Sequence, residues 1–311
     1  MKDSISVSTQ LGGKTLTIET GLLARQAAGA VLVSLDDIFV FSAVTNTDEP
    51  REGVDFFPLQ VEYREKYYAA GRFPGGYFKR ESRPSEKEIL TARLTDRPIR
   101  PLFPDGYHND VQVNNTLMSC DGVTEPDFLS VIAASAALHI SEIPFMGPIG
   151  AVRVGRVNGE FILNPTQEQR QKGDLDLLYS GMKGRFLMME GGANEIPEAD
   201  FLAALKFGQE AVEKIIALQE ELRAKLGLPE KVVVDGDACN KELLEAARAE
   251  VAEKLADALT IPGKLERQNT VNDLKAALKE ALLVKFPEMT DEEFRAMFDA
   301  FEIETVRKNV L

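Results

Sequence analysis

The sequence predicts an α+β chain: a mixed-sheet unit over about residues 1–230, then a small all-helical unit over 241–311. Two observations carry this. Up to Leu226, apolar residues recur both at the period of two that marks strands and at the longer period that marks helices. From Lys241 onward only the helical period remains. The boundary is expected between Leu226 and Lys241, where Gly227-Leu-Pro-Glu230 stops the preceding helix.

The elements follow in order. Ser4–Thr9 and Thr15–Thr20 flank Gly12-Gly13, while Ala30–Ser34 and Ile38–Thr45 flank Asp36-Asp37, so two hairpins open the chain. Leu59–Tyr63 alternates apolar and polar residues, as a half-buried strand does. Ser85-Glu-Lys-Glu88 is a capping box. Its helix is expected to reach about Asp96, because Pro98 disfavours helical geometry at Arg97. Arg93 and Arg97 share one side of its end, with Leu90 and Leu94 on another.

Val111–Met118 reads as a strand, and Thr124-Glu-Pro-Asp127 opens a helix through about Ser141 with Thr124 as N-cap. Strands fall near Ile149–Val157, Glu160–Leu163, Leu175–Ser180 and Phe186–Glu190. Phe201, Leu205, Val212, Ile215, Leu222 and Leu226 mark a long helix of about Glu198–Leu226. Three helices follow, separated by Pro262-Gly263 and Pro287, and the aromatic stripe Phe294, Phe298 and Phe301 is read as core. No internal repeat or low-complexity segment is present.

Composition excludes several classes. No apolar run approaches the ~20 residues that cross a bilayer, so no membrane partner is expected. Cys120 and Cys239 are far apart and lack metal-ligand spacing, which suits a reduced, cytoplasmic compartment. His139 sits in an apolar helix-like run and reads as structural, and His108 is far from it in sequence. A net charge of −14 argues against general adhesion to nucleic acid.

One window breaks that acidity. Arg72 to Arg100 holds eight Lys/Arg against four Asp/Glu, a local +4 that leaves −18 for the rest. Gly75-Gly76 permits a sharp turn, followed by adjacent aromatics Tyr77 and Phe78 and the cations Lys79, Arg80 and Arg83. Rings beside cations suit single-stranded nucleic acid, where bases stack while phosphates meet positive charge. The competing reading is a surface hairpin with scattered charges.

The phrases Gly-Gly-Tyr-Phe-Lys-Arg-Glu81 and Arg83-Pro-Ser-Glu-Lys-Glu-Ile-Leu-Thr-Ala-Arg-Leu-Thr-Asp-Arg-Pro-Ile-Arg100 closely resemble the first core segment of the bacterial polynucleotide phosphorylase family (polyribonucleotide nucleotidyltransferase). The likeness continues through Pro101–Gly106, Gly147–Gly155 and Met188–Gly192, and so covers essentially the whole chain. It implies a ribonuclease PH-like domain followed by a helical linker domain. It also implies an enzyme that degrades RNA from the 3′ end with inorganic phosphate as co-substrate, built as a homotrimer with the 77–83 loop facing a central channel. In the family Arg93, Arg97 and Arg100 support activity along the RNA path, and an RNA-degradation complex is a further partner.

The family's active copy uses a Gly-Ser-Ser-Ser turn for phosphate and an Asp-x5-Asp-x-Lys segment for Mg²⁺ and the attacked phosphodiester. Here the turn reads Gly122-Val-Thr-Glu125, where Glu125 would itself occupy the helix N-terminal field. The segment reads Arg170-x5-Asp176-x-Leu178. Asp174 and Asp176 remain without a third acidic partner, so neither a catalytic residue nor a metal is expected in this copy. Mg²⁺ ligands are expected outside this chain. For Arg97 the bland alternative is a salt bridge, with Asp96 the nearest acid; Asp96 itself is read as orienting arginines. Thr305–Leu311 ends inside a helical pattern without a glycine cap, so continuation into a longer enzyme is expected. The alternative is a stand-alone, non-catalytic RNA-binding or ring-scaffold subunit. No phosphate-loop motif supports separate nucleotide hydrolysis.

Overall fold

Gly12 and Gly13, at φ +59° and +82°, turn the chain between β1 (Ile5–Leu11) and β2 (Lys14–Thr20). The meander continues through β3 (Gly29–Leu35) and β4 (Ile38–Asn46), and β5 (Leu59–Glu65) and β6 (Val111–Ser119) complete the sheet. The order is β1-β2-β3-β4-β6-β5, with β5 lying parallel to β6 at one edge. The computed structural model describes residues 4–51, 53–54, 56–77, 79–81, 83–231 and 240–311; Phe78 and Cys239 lie outside them.

A second, antiparallel sheet is built from β7 (Gly150–Val157), β8 (Glu160–Leu163), β9 (Leu175–Met182) and β10 (Arg185–Ala193), in the order β10-β9-β7-β8. The helices of this unit are α1 (Glu86–Ile99), α2 (Asp127–Ile140), α3 (Gln167–Lys172) and α4 (Glu198–Leu226). α2 packs on β3, β4 and β7, and α4 on β1, β7 and β9, so both lie between the two sheets. Every residue of α2 from Asp127 to His139 is buried, as a helix apolar all round must be.

Close packing fixes small residues here. A Cβ on Gly29 would stand 2.2 Å from the Ala137 carbonyl oxygen, so β3 reaches the α2 backbone only as glycine. A polar knot ties the layer together: Ser135 Oγ donates to Gln219 Oε1 at 2.8 Å and accepts from the Ile149 N–H at 2.9 Å. Gln219 Nε2 returns a bond to the Ile149 carbonyl at 2.8 Å.

The C-terminal end of α2 carries cations that suit its negative dipole end. Arg223 donates to the His139 carbonyl, and Lys231 Nζ donates to the carbonyls of Leu138, Ser141 and Ile143 at 2.6–2.7 Å. His139 is buried, and neither ring nitrogen has a hydrogen-bond partner. Burial, with Arg223 and Lys231 beside it, pushes its pKa down to about 4.

The chain divides into compact units Met1–Val234 and Asp235–Leu311. In the second, α5 (Lys241–Leu259), α6 (Lys264–Lys285) and α7 (Asp291–Val310) enclose a core that includes Leu255, Leu282, Phe294, Phe298 and Phe301. The aromatic stripe is therefore core. The mixed sheets and this helical region are the α+β class that the periodicity predicts.

Three local expectations are corrected. α1 does not stop at Asp96 but runs to Ile99 with Pro98 inside it. Pro98 removes one helix bond, yet Pro98 and Ile99 are buried and the Arg100 N–H still bonds to the Asp96 carbonyl, so packing overrides the local preference. Thr124 is not the N-cap of α2: it bridges to Thr166, and the helix begins at Asp127 behind Pro126. α3, absent from the expectations, starts at a capping box of Thr166 and Gln169 that the sequence carries openly.

Two outcomes follow from this packing. Gly29→Ala should destabilise the mixed-sheet unit by about 1–3 kcal/mol, because the new methyl meets backbone rather than a side chain that can rotate away. An unchanged urea midpoint would overturn that account. Below about pH 6.5 the unfolded chain binds the proton that folded His139 refuses, so stability falls as pH drops from there to about 4. His139→Leu should remove that loss, worth up to ~3 kcal/mol, while leaving the pH range above 7 unaffected. Urea unfolding of both proteins across this range reads the difference; a pH-independent gap would reject it.

Candidate nucleic-acid interface

The basic loop leaves the edge of the first sheet just after β5. A short 3₁₀ turn, Tyr67–Ala70, ends at Gly71 in left-handed geometry, and α1 recaptures the chain at Ser85. The capping box there is complete: the Glu88 N–H donates to Ser85 Oγ at 3.2 Å and the Ser85 N–H to Glu88 Oε2 at 2.6 Å. Glu88 also accepts from the Glu65 N–H at 2.9 Å, which ties α1 to the end of β5.

Between these anchors Glu81 ties the loop back to its start. Glu81 accepts from Lys66 Nζ at 2.6 Å and from the Tyr67 N–H at 3.1 Å. The Lys66 bond, with the Tyr67 N–H, holds the Glu81 carboxyl below its usual range. Tyr77 at the tip is 94% exposed. Lys79 Nζ lies 5.2 Å from the centroid of Phe73, and Arg80 and Arg83 are exposed. Phe78 lies outside the described residues.

A cleft of about 450 Å³ continues from the loop between β5 and α1, lined by Val61, Tyr63, Ile89, Ala92, Arg93 and Arg97 among others. The three α1 arginines differ in what holds them. Arg93 is exposed and makes no ion pair with a described residue. Arg97 pairs with Glu190 of β10, not with Asp96. Arg100 grips Asp96 through two bonds of 2.6 and 2.7 Å and donates to the carbonyls of Phe57 and Leu59 at 3.3 and 3.1 Å. Arg100 is thus a clamp between α1 and the entry to β5, and Asp96 does orient an arginine.

On the other side of α1 a second cleft, of about 460 Å³, includes Lys87, Leu94, Glu125, Arg153, Arg170 and Leu178 in its lining. Here the charges cancel in a chain. Lys87 bridges Glu65 at 3.0 Å and Glu125 at 2.9 Å. Arg170 reaches Glu125 at 3.7 Å and Asp176 at 2.7 Å. Arg153 joins Asp176 at 2.6 Å to the buried Asp127. Burial raises the Asp176 pKa, and Arg153 and Arg170 more than offset it, so the carboxyl stays below its usual range. Glu125 therefore faces lysine and arginine side chains rather than the α2 N-terminus.

The turn before α2 is also occupied from within. Asp121 Oδ1 accepts the Val123 and Thr124 N–H groups at 2.8 Å each, and Oδ2 accepts Thr124 Oγ1 at 3.0 Å. Donors that could hold a phosphate already hold a carboxylate. Asp174 is likewise engaged, by Arg156 at 2.7 Å, and Arg156 also takes Asp200 at 2.5 Å. Among the described residues no group of three His, Cys, Asp or Glu could hold a metal ion. A donor set in which each acid is matched to a guanidinium does not fit Mg²⁺.

The sequence reading passed over Lys87, Asp127 and Arg153. Arg153 had a signal: one charge inside the buried run Gly150-Ala-Val-Arg-Val-Gly155 must find an acid. Replacing Arg153 with Leu leaves Asp127 and Asp176 without their shared cation and should destabilise the unit by about 3–5 kcal/mol. Stability should also fall as pH drops below about 4, where the unfolded chain takes up protons that folded Asp176 refuses. In Arg153→Leu this acid-dependent loss should shrink. Thermal melts at pH 7 and pH 3 check both; an unaltered melting temperature at pH 7 would remove the pairing from the account.

The comparisons with known proteins agree with this architecture. The model of the 3′ exoribonuclease family, domain 1, matches residues 12–144, and that of domain 2 matches 147–211. The model described as polyribonucleotide nucleotidyltransferase, RNA binding domain, matches 242–311. The polyribonucleotide nucleotidyltransferase of Heliobacterium modesticaldum is 48% identical over 97% of this chain and 42% of its own length. That of Akkermansia muciniphila is 47% identical over 98% of this chain and 43% of its own length. The chain thus spans less than half the length of the curated relatives it matches. Rice (Oryza sativa) Rrp46 shares the fold, with a TM-score of 0.52 and 16% identity over 68% of this chain and 96% of that one. Two family domains in tandem, a third matched segment and near-complete coverage by relatives make one conclusion: the chain belongs to the 3′ exoribonuclease family, within its polyribonucleotide nucleotidyltransferase branch.

Proposed function

We propose that this chain is the RNA-holding first part of a phosphate-dependent 3′-to-5′ exoribonuclease that releases nucleoside diphosphates, and that it holds RNA without cleaving it. The distribution of paired and unpaired cations carries this reading. Lys79, Arg80, Arg83 and Arg93 make no ion pair with a described residue, while the cations of the second cleft are matched to acids. A phosphate entering the first region displaces water; one entering the second must displace carboxylates.

In this reading Tyr77 stacks on a base, Phe78 beside it does the same, and Lys79, Arg80 and Arg83 meet phosphates. Arg93 continues the track along the β5–α1 cleft. Arg97 and Arg100 act through position, Arg97 against Glu190 and Arg100 as the clamp beneath the track. Inorganic phosphate is the co-substrate and Mg²⁺ the family's ion, with ligands outside this chain. A homotrimeric ring, a cytoplasmic setting and an RNA-degradation complex complete the proposal. No described helix is long and apolar enough to cross a membrane.

The helical unit matches a segment described as RNA binding. Residues 241–311 carry eleven Lys/Arg against fifteen Asp/Glu, so the strongest phosphate contacts are assigned to the loop instead. A stand-alone ring-scaffold subunit is the second reading. The same acid-matched cleft supports it, and sequencing the gene beyond codon 311 separates the two.

The 311-residue chain should release no nucleoside diphosphate from oligoadenylate when phosphate is added; such release would overturn the silent-copy reading. Lys79→Ala with Arg80→Ala should lower the log–log salt slope of single-strand binding by about 0.7 per lost contact. Tyr77→Ala should weaken binding by ~1–3 kcal/mol at an unchanged slope. Unaltered affinity and slope in the triple variant would reduce the loop to ordinary surface.

A further inference from the structure

Six aromatic side chains of the mixed-sheet unit are exposed among the described residues: Phe56, Tyr67, Tyr68, Phe73, Tyr77 and Phe186. Four of them fall between residues 67 and 77, beside the unpaired cations. Phe73 is the most exposed of these after Tyr77, at 73%. Burial does not explain a ring in that position.

The geometry around Phe73 is specific. Lys79 places its Nζ 5.2 Å from the ring centroid. It does so from left-handed backbone, φ +51°, in a turn closed by its N–H to the Gly76 carbonyl at 3.1 Å. A lysine accepts that backbone conformation reluctantly. The far leg of the loop is pinned by Glu81 to Lys66 at 2.6 Å and to the Tyr67 N–H at 3.1 Å. Ring and ammonium are thus presented by two tethered legs, with Arg72 and Arg80 alongside.

We propose that Phe73 is a second base-stacking platform, distinct from Tyr77, with Lys79 as its placeholder in the absence of nucleic acid. This rests on the reading of the loop as an RNA interface. A base of a single strand takes the ring face, and the displaced ammonium moves onto a phosphate of the same strand. The exchange runs in this direction because an exposed cation–π contact shifts an equilibrium only a few-fold, whereas a stacked base shifts it roughly tenfold or more. The ammonium also ends in contact with a full negative charge. The platform reads any base, since every base offers a face.

The test compares binding of a fluorescent oligoadenylate and an abasic strand of equal length by the parent chain and by Phe73→Ala, Phe73→Leu, Tyr77→Ala and Arg80→Ala. Phe73→Ala should weaken oligoadenylate binding roughly tenfold and leave the abasic strand unaffected. Phe73→Leu should weaken it too, because an aliphatic side chain offers bulk without a π face. Circular dichroism should be unchanged in both, as the ring is exposed. Equal weakening on both strands would mean that Phe73 only shapes the loop, and the proposal falls. Parent-like binding by Phe73→Ala alongside weakened Tyr77→Ala and Arg80→Ala also sinks it, but leaves the loop reading intact. No effect in any variant, or no binding by the parent chain, overturns both.

Discussion

α2 has no polar face, and that constraint organises the mixed-sheet unit. A helix buried from Asp127 to His139 needs a layer on every side, which β3 and β4 supply from one sheet, β7 from the other, and α1 and α4 from the flanks. The close approach at Gly29 and the Ser135–Gln219–Ile149 knot are consequences of that burial, since a packed interior tolerates neither an extra methyl nor an unpaired polar group. Its two ends then acquire opposite chemistry. Asp127 at the start draws Arg153 inward, while Arg223 and Lys231 gather at the finish and leave His139 neutral between them.

α1 separates two clefts of similar size, each lined by three cations and by acids. The difference is not in the number of cations but in their partners. Lys87, Arg153 and Arg170 are consumed by Glu65, Glu125, Asp127 and Asp176. On the loop side Glu62, Glu88 and Asp96 also line the cleft, yet Arg93 makes no ion pair with a described residue. Asp174 and Asp176 are held by arginines, and the backbone donors of the turn before α2 by the Asp121 carboxylate. These pairings also hold the fold together, because Asp127 and Asp176 each have a guanidinium within hydrogen-bonding distance.

Much was legible from sequence because it depends on local rules. The two-residue and helical periods, the glycine turn of the first hairpin, the Ser85–Glu88 box and the Gly227 stop are set within a few residues of chain, and each lies where the pattern placed it. The basic window, its rings and the residues at Gly122–Glu125 and Arg170–Leu178 were equally readable, since they are statements about residue identity. Tertiary structure decided the rest. Pro98 stays helical because Ile99 gains more from burial than the chain loses at one bond. Arg97 passes over its neighbour Asp96 for Glu190, which is distant in sequence. Whether a cation is free to meet a phosphate depends on which acid the fold brings to it, and charge–charge distance is set by topology rather than by order along the chain.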